Sequence, residues 1–465
     1  GTVAVSVAEP RLVPPSGVAP SASFQKGRPN VLLISIDTLR ADALSVLGYR
    51  RKTSPWMERF FGEEGIRFSH AEAPCTWTLP SHASLFLSQY LSRHGVIADS
   101  VRISSESTLL AEHFAREGYD TAAFVDGGFI DASYGFHQGF GFYDQQGGRF
   151  AGILPRAKEW LHRRDQGAPC FLFLHTYDVH APYASPEPYR SRFLEEGIAP
   201  PTDKDLIVPE AVVLQTENRA IEEGKPTLDG RYAAYWRALY DGGVSYVDHL
   251  LEEFFSDLAN SPLLENTVVI LLSDHGESFY EHGSWAHSWN VYQELTHVPI
   301  LIRFPDRRHA GTLSEERVSL LDVAPTLFEV LGWKPPEDWQ GRSLLPLVRG
   351  ETKSEPRRIF CELHREPFIF SAVYLKNAKY IATRKADAMA PAQRHDGREV
   401  YDLTTDPGET RNLVAEPARQ ATEEFARADK ALALMRGVRE REGDAERADL
   451  DSEDVEELER LGYMR

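Results

Sequence analysis

In the stretch CTWTLPSHASL a threonine, Thr78, stands two places before Pro80. A hydroxyl there has three readings: nucleophile, helix cap or metal ligand. Pro80 favours the first turn of a helix, and Thr78 or Ser81 could cap it. A helix N-terminus is also where an anion is best held, through free N–H groups and the dipole. Next to a metal that lowers its pKa, the Thr78 hydroxyl would attack a phosphoryl or sulfuryl centre.

Asp37 ends the apolar run NVLLISID, and Asp274-His275 end TVVILLSDH. Either acid also reads as a strand-end or cap residue. Together with the imidazole they suit a divalent ion of borderline softness, Zn or Mn, better than an all-oxygen calcium cage. Gly276 in SDHGE permits close backbone approach beside them. Two further histidine clusters follow, HTYDVHAPY with His175, Asp178 and His180, and EHGSWAHSW with His282 and His287. Cys75 has no neighbouring His or Lys in sequence to lower its pKa and reads as a small structural residue.

Those residues need a scaffold that brings strand ends together. NVLLISID, DTAAFVD, PCFLFLHTYD and TVVILLSD read as strands, and VPILIRFP as another. They alternate with helical stretches, LPSHASLFLSQYL, LLAEHFAREGY and a long segment from about Tyr232 to Leu258. The pattern predicts an α/β fold with a large, mainly parallel sheet sandwiched by helices. Ligands in such sheets bind beyond the carboxyl ends of strands, where Asp37 and Asp274 would share a crevice. The predicted organisation is a flexible leader over residues 1–28, a catalytic domain over 29–352 with a surface insertion at 185–227, and a C-terminal α+β subdomain over 353–465. The last carries short antiparallel strands, a charged helix from about Glu416 to Arg441 and an acidic tail.

At 465 residues with 42% hydrophobic side chains, the chain has material for a sizeable core. A net charge of −19 disfavours nucleic acid as a partner, though a bound metal can reverse the field locally for a small anion. No apolar run approaches the length of a membrane span. Three cysteines, Cys75, Cys170 and Cys361, make no disulfide framework. The Pro-, Ser- and Val-rich start reads as what is left after a signal or anchor is removed, which favours a periplasmic or secreted location.

From Pro29 onward the chain resembles the sulfatases of the alkaline phosphatase superfamily. Ten stretches fall in the family's order, among them NVLLISIDTLRAD, TLPSHASLFLSQYLSRHGV, VVILLSDHGESFYEHG, VSLLDVAPTLFEVLG and VYDLTTDPGETRNL. Sulfatases usually carry Cys-x-Pro-x-Arg, whose cysteine becomes formylglycine; this chain has Thr78 at the cysteine position and His82 at the arginine position. Threonine there resembles the phosphodiesterase, phosphonoacetate hydrolase and phosphoglycerol transferase branches. The family's paired acids at the first strand end are Asp37-Thr38 here, and two expected sulfate-binding lysines are missing. The resemblance implies a metal held by Asp37, Thr78, Asp274 and His275, Zn or Mn before Ca. It places His180 and His287 against the transferred group as catalytic residues. His82, His175, Asp178 and His282 are left for substrate or a second metal. The implied activity is metal-dependent hydrolysis of a small anionic phosphate ester, diester or monoester, or of a phosphonate. Sulfate-ester hydrolysis without formylglycine and a non-catalytic binding role are the alternatives.

Overall fold

The apolar runs assemble into one eight-stranded sheet. The computed structural model describes residues 28–198, 200, 232–259, 263–351, 357–365, 368–385, 397–414 and 446–447. Residues 1–27 of the expected leader, residues 201–227 of the expected insertion, the expected helix at 416–441 and the acidic tail apart from 446–447 lie outside the described residues.

The strands are β1 (Asn30–Ile36), β2 (Ile66–Glu72), β3 (Asp120–Phe124), β4 (Phe142–Asp144), β5 (Cys170–Thr176), β6 (Thr267–Leu272), β7 (His297–Arg303) and β8 (Thr312–Ser319). Across the sheet they run β8-β2-β7-β6-β1-β5-β3-β4. Only β7 is reversed, pairing antiparallel with both β6 and β2 while every other pair is parallel. The sheet is thus mixed and mostly parallel. The run VPILIRFP announces β7 as a strand but carries no signal of its direction.

Because side chains alternate across a strand, a strand covered on both faces must be apolar throughout. β1 shows this directly: all seven residues are buried. Val31 and Leu33 join one core with α1 (Thr78–Leu87), α2 (Leu110–Arg116) and α5 (Val323–Leu331). Leu32, Ile34 and Ile36 join the other, with α3 (Arg149–Arg163) and α4 (Ala233–Ala259). Truncating a residue such as Leu33, at 0% exposure, removes transfer energy and leaves a cavity, at a cost of about 2–5 kcal/mol.

A second, antiparallel sheet of four strands follows, in the order β9 (Arg358–Arg365), β10 (Phe368–Leu375), β11 (Ala378–Lys385) and β12 (Gly397–Asp402). Its Ile359, Cys361, Leu363 and Tyr374 pack into the α1 side of the main core. The backbone N–H of Glu362 donates to the carbonyl of Pro74 at 2.9 Å, which fixes the new sheet beside the segment leading to Thr78. Among the described residues no helix is long and apolar enough to cross a membrane.

Candidate functional site

β1 lies between β5 and β6, so their carboxyl ends are adjacent. Asp37 leaves β1 with its N–H bonded to the Thr176 carbonyl at the end of β5. Asp274 and His275 follow β6 by two and three residues. The turn that holds them is tight. Ser273 Oγ accepts from the Leu39 N–H and donates to the His275 carbonyl, both at 2.8 Å. A Cβ on Gly276 would lie 2.0 Å from the Glu294 carbonyl oxygen, so the close approach expected of that glycine is real.

Asp37, Asp274 and His275 each offer a ligand atom, all within 4.8 Å of one another, and all three are fully buried. Their geometry fits a cation. Asp37 Oδ1 and Asp274 Oδ2 have no hydrogen-bond partner, though both are inaccessible to water. His275 Nε2 sits 3.4 Å from Asp274 Oδ2 and 4.0 Å from Asp37 Oδ1. Burial pushes the Asp37 carboxyl up to about 6, against the pull of His275 and Thr78. Asp274 is raised by burial and by the neighbouring Asp37. Burial lowers His275, but the two carboxylates outweigh it and the net direction is upward. Two buried acids facing each other are costly, and a divalent ion bound between them would relieve both desolvation and repulsion.

Thr78 is not a cap. It is the first residue of α1, Trp77 precedes it in extended conformation, and no side chain caps the helix. Its Oγ1 donates to Asp37 Oδ2 at 3.0 Å and lies 3.5 Å from His275 Nε2. Ser81 also does not cap; its hydroxyl donates to the Asp274 carbonyl at 2.7 Å. Pro80 falls in the first turn, where its missing N–H costs nothing. Cys75 is fully buried, and burial pushes its thiol well above the usual range, followed by the effect of Cys361.

His180 and His287 meet above this cluster, ring centroids 5.0 Å apart, with His287 4.5 Å from His275. Burial lowers both, His180 to about 3 and His287 well below its usual value. His287 Nδ1 lies 2.9 Å from Glu277 Oε1, and Tyr183 donates to Glu277 Oε2 at 3.1 Å. This contact fixes the ring. Glu277 is fully buried, and its motif, SDHGE, was the one signal that could have drawn attention to it.

Of the remaining candidates, His82 and His175 border the cluster, at 3.4 Å from Asp274 Oδ2 and 3.7 Å from Asp37 Oδ2, and Asp178 and His282 turn elsewhere. His82 lies beneath it, fully buried, with Nε2 2.9 Å from Ser35 Oγ and Nδ1 2.9 Å from the Thr78 carbonyl. It is enclosed between sheet and helix. His175 is also fully buried, on the same face of β5 as Ser35 on β1. Asp178 turns toward α3: its Oδ2 accepts from the Phe150 N–H at 2.8 Å and from Thr176 Oγ1 at 2.7 Å. That carboxylate serves a helix end and does not join His180 and His287 in a second metal centre. His282 Nδ1 pairs with Glu294 Oε1 at 2.8 Å, and its ring stacks on Tyr292 at 3.8 Å, outside the cluster.

Comparisons with known proteins agree with this architecture. The family model described as Sulfatase matches residues 29–333, and that described as N-sulphoglucosamine sulphohydrolase, C-terminal, matches residues 280–432. A multifunctional alkaline phosphatase superfamily protein of Trinickia caryophylli, PehA, is 26% identical, the match spanning 85% of this chain and 93% of that one. An N-acetylglucosamine-6-O-sulfatase of Bacteroides thetaiotaomicron is 23% identical, over 87% of this chain and 85% of its own. The crystal structure of a phosphonate monoester hydrolase of Agrobacterium radiobacter superposes with a TM-score of 0.70 at 21% identity, over 89% of this chain and 96% of that one.

Proposed function

Since the chain belongs to the sulfatase family of the alkaline phosphatase superfamily, whose members hydrolyse anionic esters, we propose that it is a metal-dependent phosphoesterase with Thr78 as nucleophile. The observation that carries this reading is the placement of Thr78 Oγ1, 3.0 Å from Asp37 Oδ2 at the N-terminal turn of α1, while the Cys75 thiol is buried and raised well above its usual range by that burial. Asp37, Thr78, Asp274 and His275 hold the ion in this reading, Zn or Mn before Ca. The ion supplies positive charge for the nucleophile and for the oxygens of the transferred group.

Thr78 Oγ1 forms a bond to phosphorus as the bond to the leaving-group oxygen breaks. The hydroxyl proton passes to water, a loss that the charge of a bound ion would favour. His180 or His287 holds the transferred anion, or gives a proton to the departing oxygen once the negative charge of the bound ester offsets the lowering by burial. Water then attacks the phosphothreonine and restores the hydroxyl. The free N–H groups of the first turn of α1 favour the developing negative charge.

A sulfate ester is the second reading, supported by the family model and by the similarity to a sugar sulfatase. Hydrolysis of nitrophenyl phosphate, bis-nitrophenyl phosphate and nitrophenyl sulfate side by side, with Zn or Mn, separates the two. Faster turnover of a phosphorus ester that disappears in Thr78→Ala supports the proposal. Turnover of the sulfate ester alone sinks it.

A further inference from the structure

His175 is a fully buried imidazole with neither ring nitrogen hydrogen-bonded among the described residues. Its flanking neighbours are committed elsewhere. Thr176 Oγ1 and the Tyr177 N–H both go to Asp126, at 3.0 and 2.8 Å. The rings of Tyr177 and His82 meet His175 edge-on, at 4.8 and 5.2 Å, and provide packing without accepting a hydrogen bond. Asp37 Oδ2 lies 3.7 Å from His175 Nε2.

The two oxygens of Asp37 face different duties. Oδ1 is the unpartnered one, turned toward His275 Nε2. Oδ2 receives the Thr78 hydroxyl on one side and faces His175 on the other. His175 therefore faces the oxygen that Thr78 also meets, and the unpartnered Oδ1 is the one left for a cation in the reading above. It is not placed as a ligand.

From this arrangement, and resting on the metal-site reading above, we propose that His175 is a positioning residue for Asp37, its Nε2–H holding Oδ2 so that Oδ1 stays aimed at the cation when Thr78 gives up its own hydrogen bond. While Thr78 donates, Oδ2 has a donor and His175 stands off, about 0.8 Å beyond the usual N–H···O distance of about 2.9 Å. Were the threonine oxygen to turn toward a bound cation, as in the reading above, its hydroxyl would no longer satisfy that lone pair. A modest swing of the imidazole closes the gap. The carboxylate keeps a fixed orientation through both states, as outer partners of metal-binding carboxylates do.

The test is binding of Mn²⁺ and of Zn²⁺ to the metal-free full chain, measured by isothermal titration calorimetry without substrate. His175→Leu, which fills the space but donates nothing, is expected to weaken affinity by about tenfold to a hundredfold. His175→Gln, whose amide N–H can reach Oδ2, is expected to recover part of that loss. Should the leucine variant fail to fold, judged by circular dichroism, the glutamine variant against wild type carries the test, with a smaller weakening expected. A purely packing role would lower the melting temperature of His175→Leu yet leave metal affinity unchanged. Folded His175→Leu binding both metals within about twofold of wild type overturns the role of His175 alone, given the tenfold or greater effect expected of an outer partner. Wild type that binds neither ion overturns this role together with the metal-site reading.

Discussion

Replacing Lys379 with methionine tests how the four-stranded sheet holds the site in place. The Lys379 ammonium lies 2.8 Å from Glu409 Oε1, with both side chains at 0% exposure. The contact is an ion pair rather than an aligned hydrogen bond, since Oε1 has no hydrogen-bond partner. The ammonium's own hydrogen bond goes to the Val291 carbonyl at 2.6 Å. Glu409 Oε2 accepts from the Gln293 N–H at 2.5 Å. Together the pair grips the chain on both sides of Tyr292, just after His287. Burial raises the Glu409 carboxyl and Lys379 pulls it back, so loss of the ammonium leaves a buried acid without its counter-charge. Methionine keeps the length of the side chain and removes the charge. Breaking one partner of a buried pair costs about 3–5 kcal/mol. At about 2 °C per kcal/mol, the low end for a large domain, the thermal midpoint falls by roughly 6–10 °C. Differential scanning calorimetry reads the shift. Glu409→Gln and the double variant close the cycle, with an expected coupling of about 1–3 kcal/mol. A drop of less than about 1 °C in Lys379→Met refutes the reasoning.

Other outcomes follow from single contacts. Gly276→Ala sets a methyl against the Glu294 carbonyl at 2.0 Å and should cost about 3 kcal/mol or more, read as a lowered urea midpoint and loss of metal binding. Glu277→Gln weakens the hold on His287 and should lower kcat/KM on a nitrophenyl phosphodiester by about tenfold to a hundredfold with little change in melting temperature. Asp248 accepts the N–H groups of Trp56 and Met57 at 2.9 and 3.0 Å, and burial raises its carboxyl to about 7. The folded state then keeps a proton that the unfolded chain has released, so stability falls as pH rises from about 4 through about 7. Asp248→Asn should flatten that fall relative to wild type in urea titrations at pH 5 and pH 7.5; equal slopes would count against it.

Much of the fold is written in local pattern. The runs ending at Asp37 and Asp274 are buried strands because both faces of the central sheet are covered, and that favours mostly apolar residues. The same runs told where the two acids would meet. Other features depend on distant residues and left no local trace. Thr78 reads equally well as a cap until Trp77 is seen to take that place and Asp37 the hydroxyl. His82 and Asp178 have the residue types of a site, yet one is sealed under α1 and the other is bound to the start of α3. Glu409 and Lys379 are separated from the His287 loop by some ninety to a hundred residues or more, and only packing reveals that they anchor it. The reversed direction of β7 is likewise a matter of topology, not of composition.

Trapping the covalent intermediate tests the central claim most directly. The metal-loaded chain is mixed with bis-nitrophenyl phosphate, quenched in acid within the first turnovers, digested and sequenced by tandem mass spectrometry. The account predicts a phosphoryl adduct on Thr78, absent from Thr78→Ala. Rapid turnover with an unmodified Thr78, or an adduct on Cys75 or a histidine instead, would contradict it.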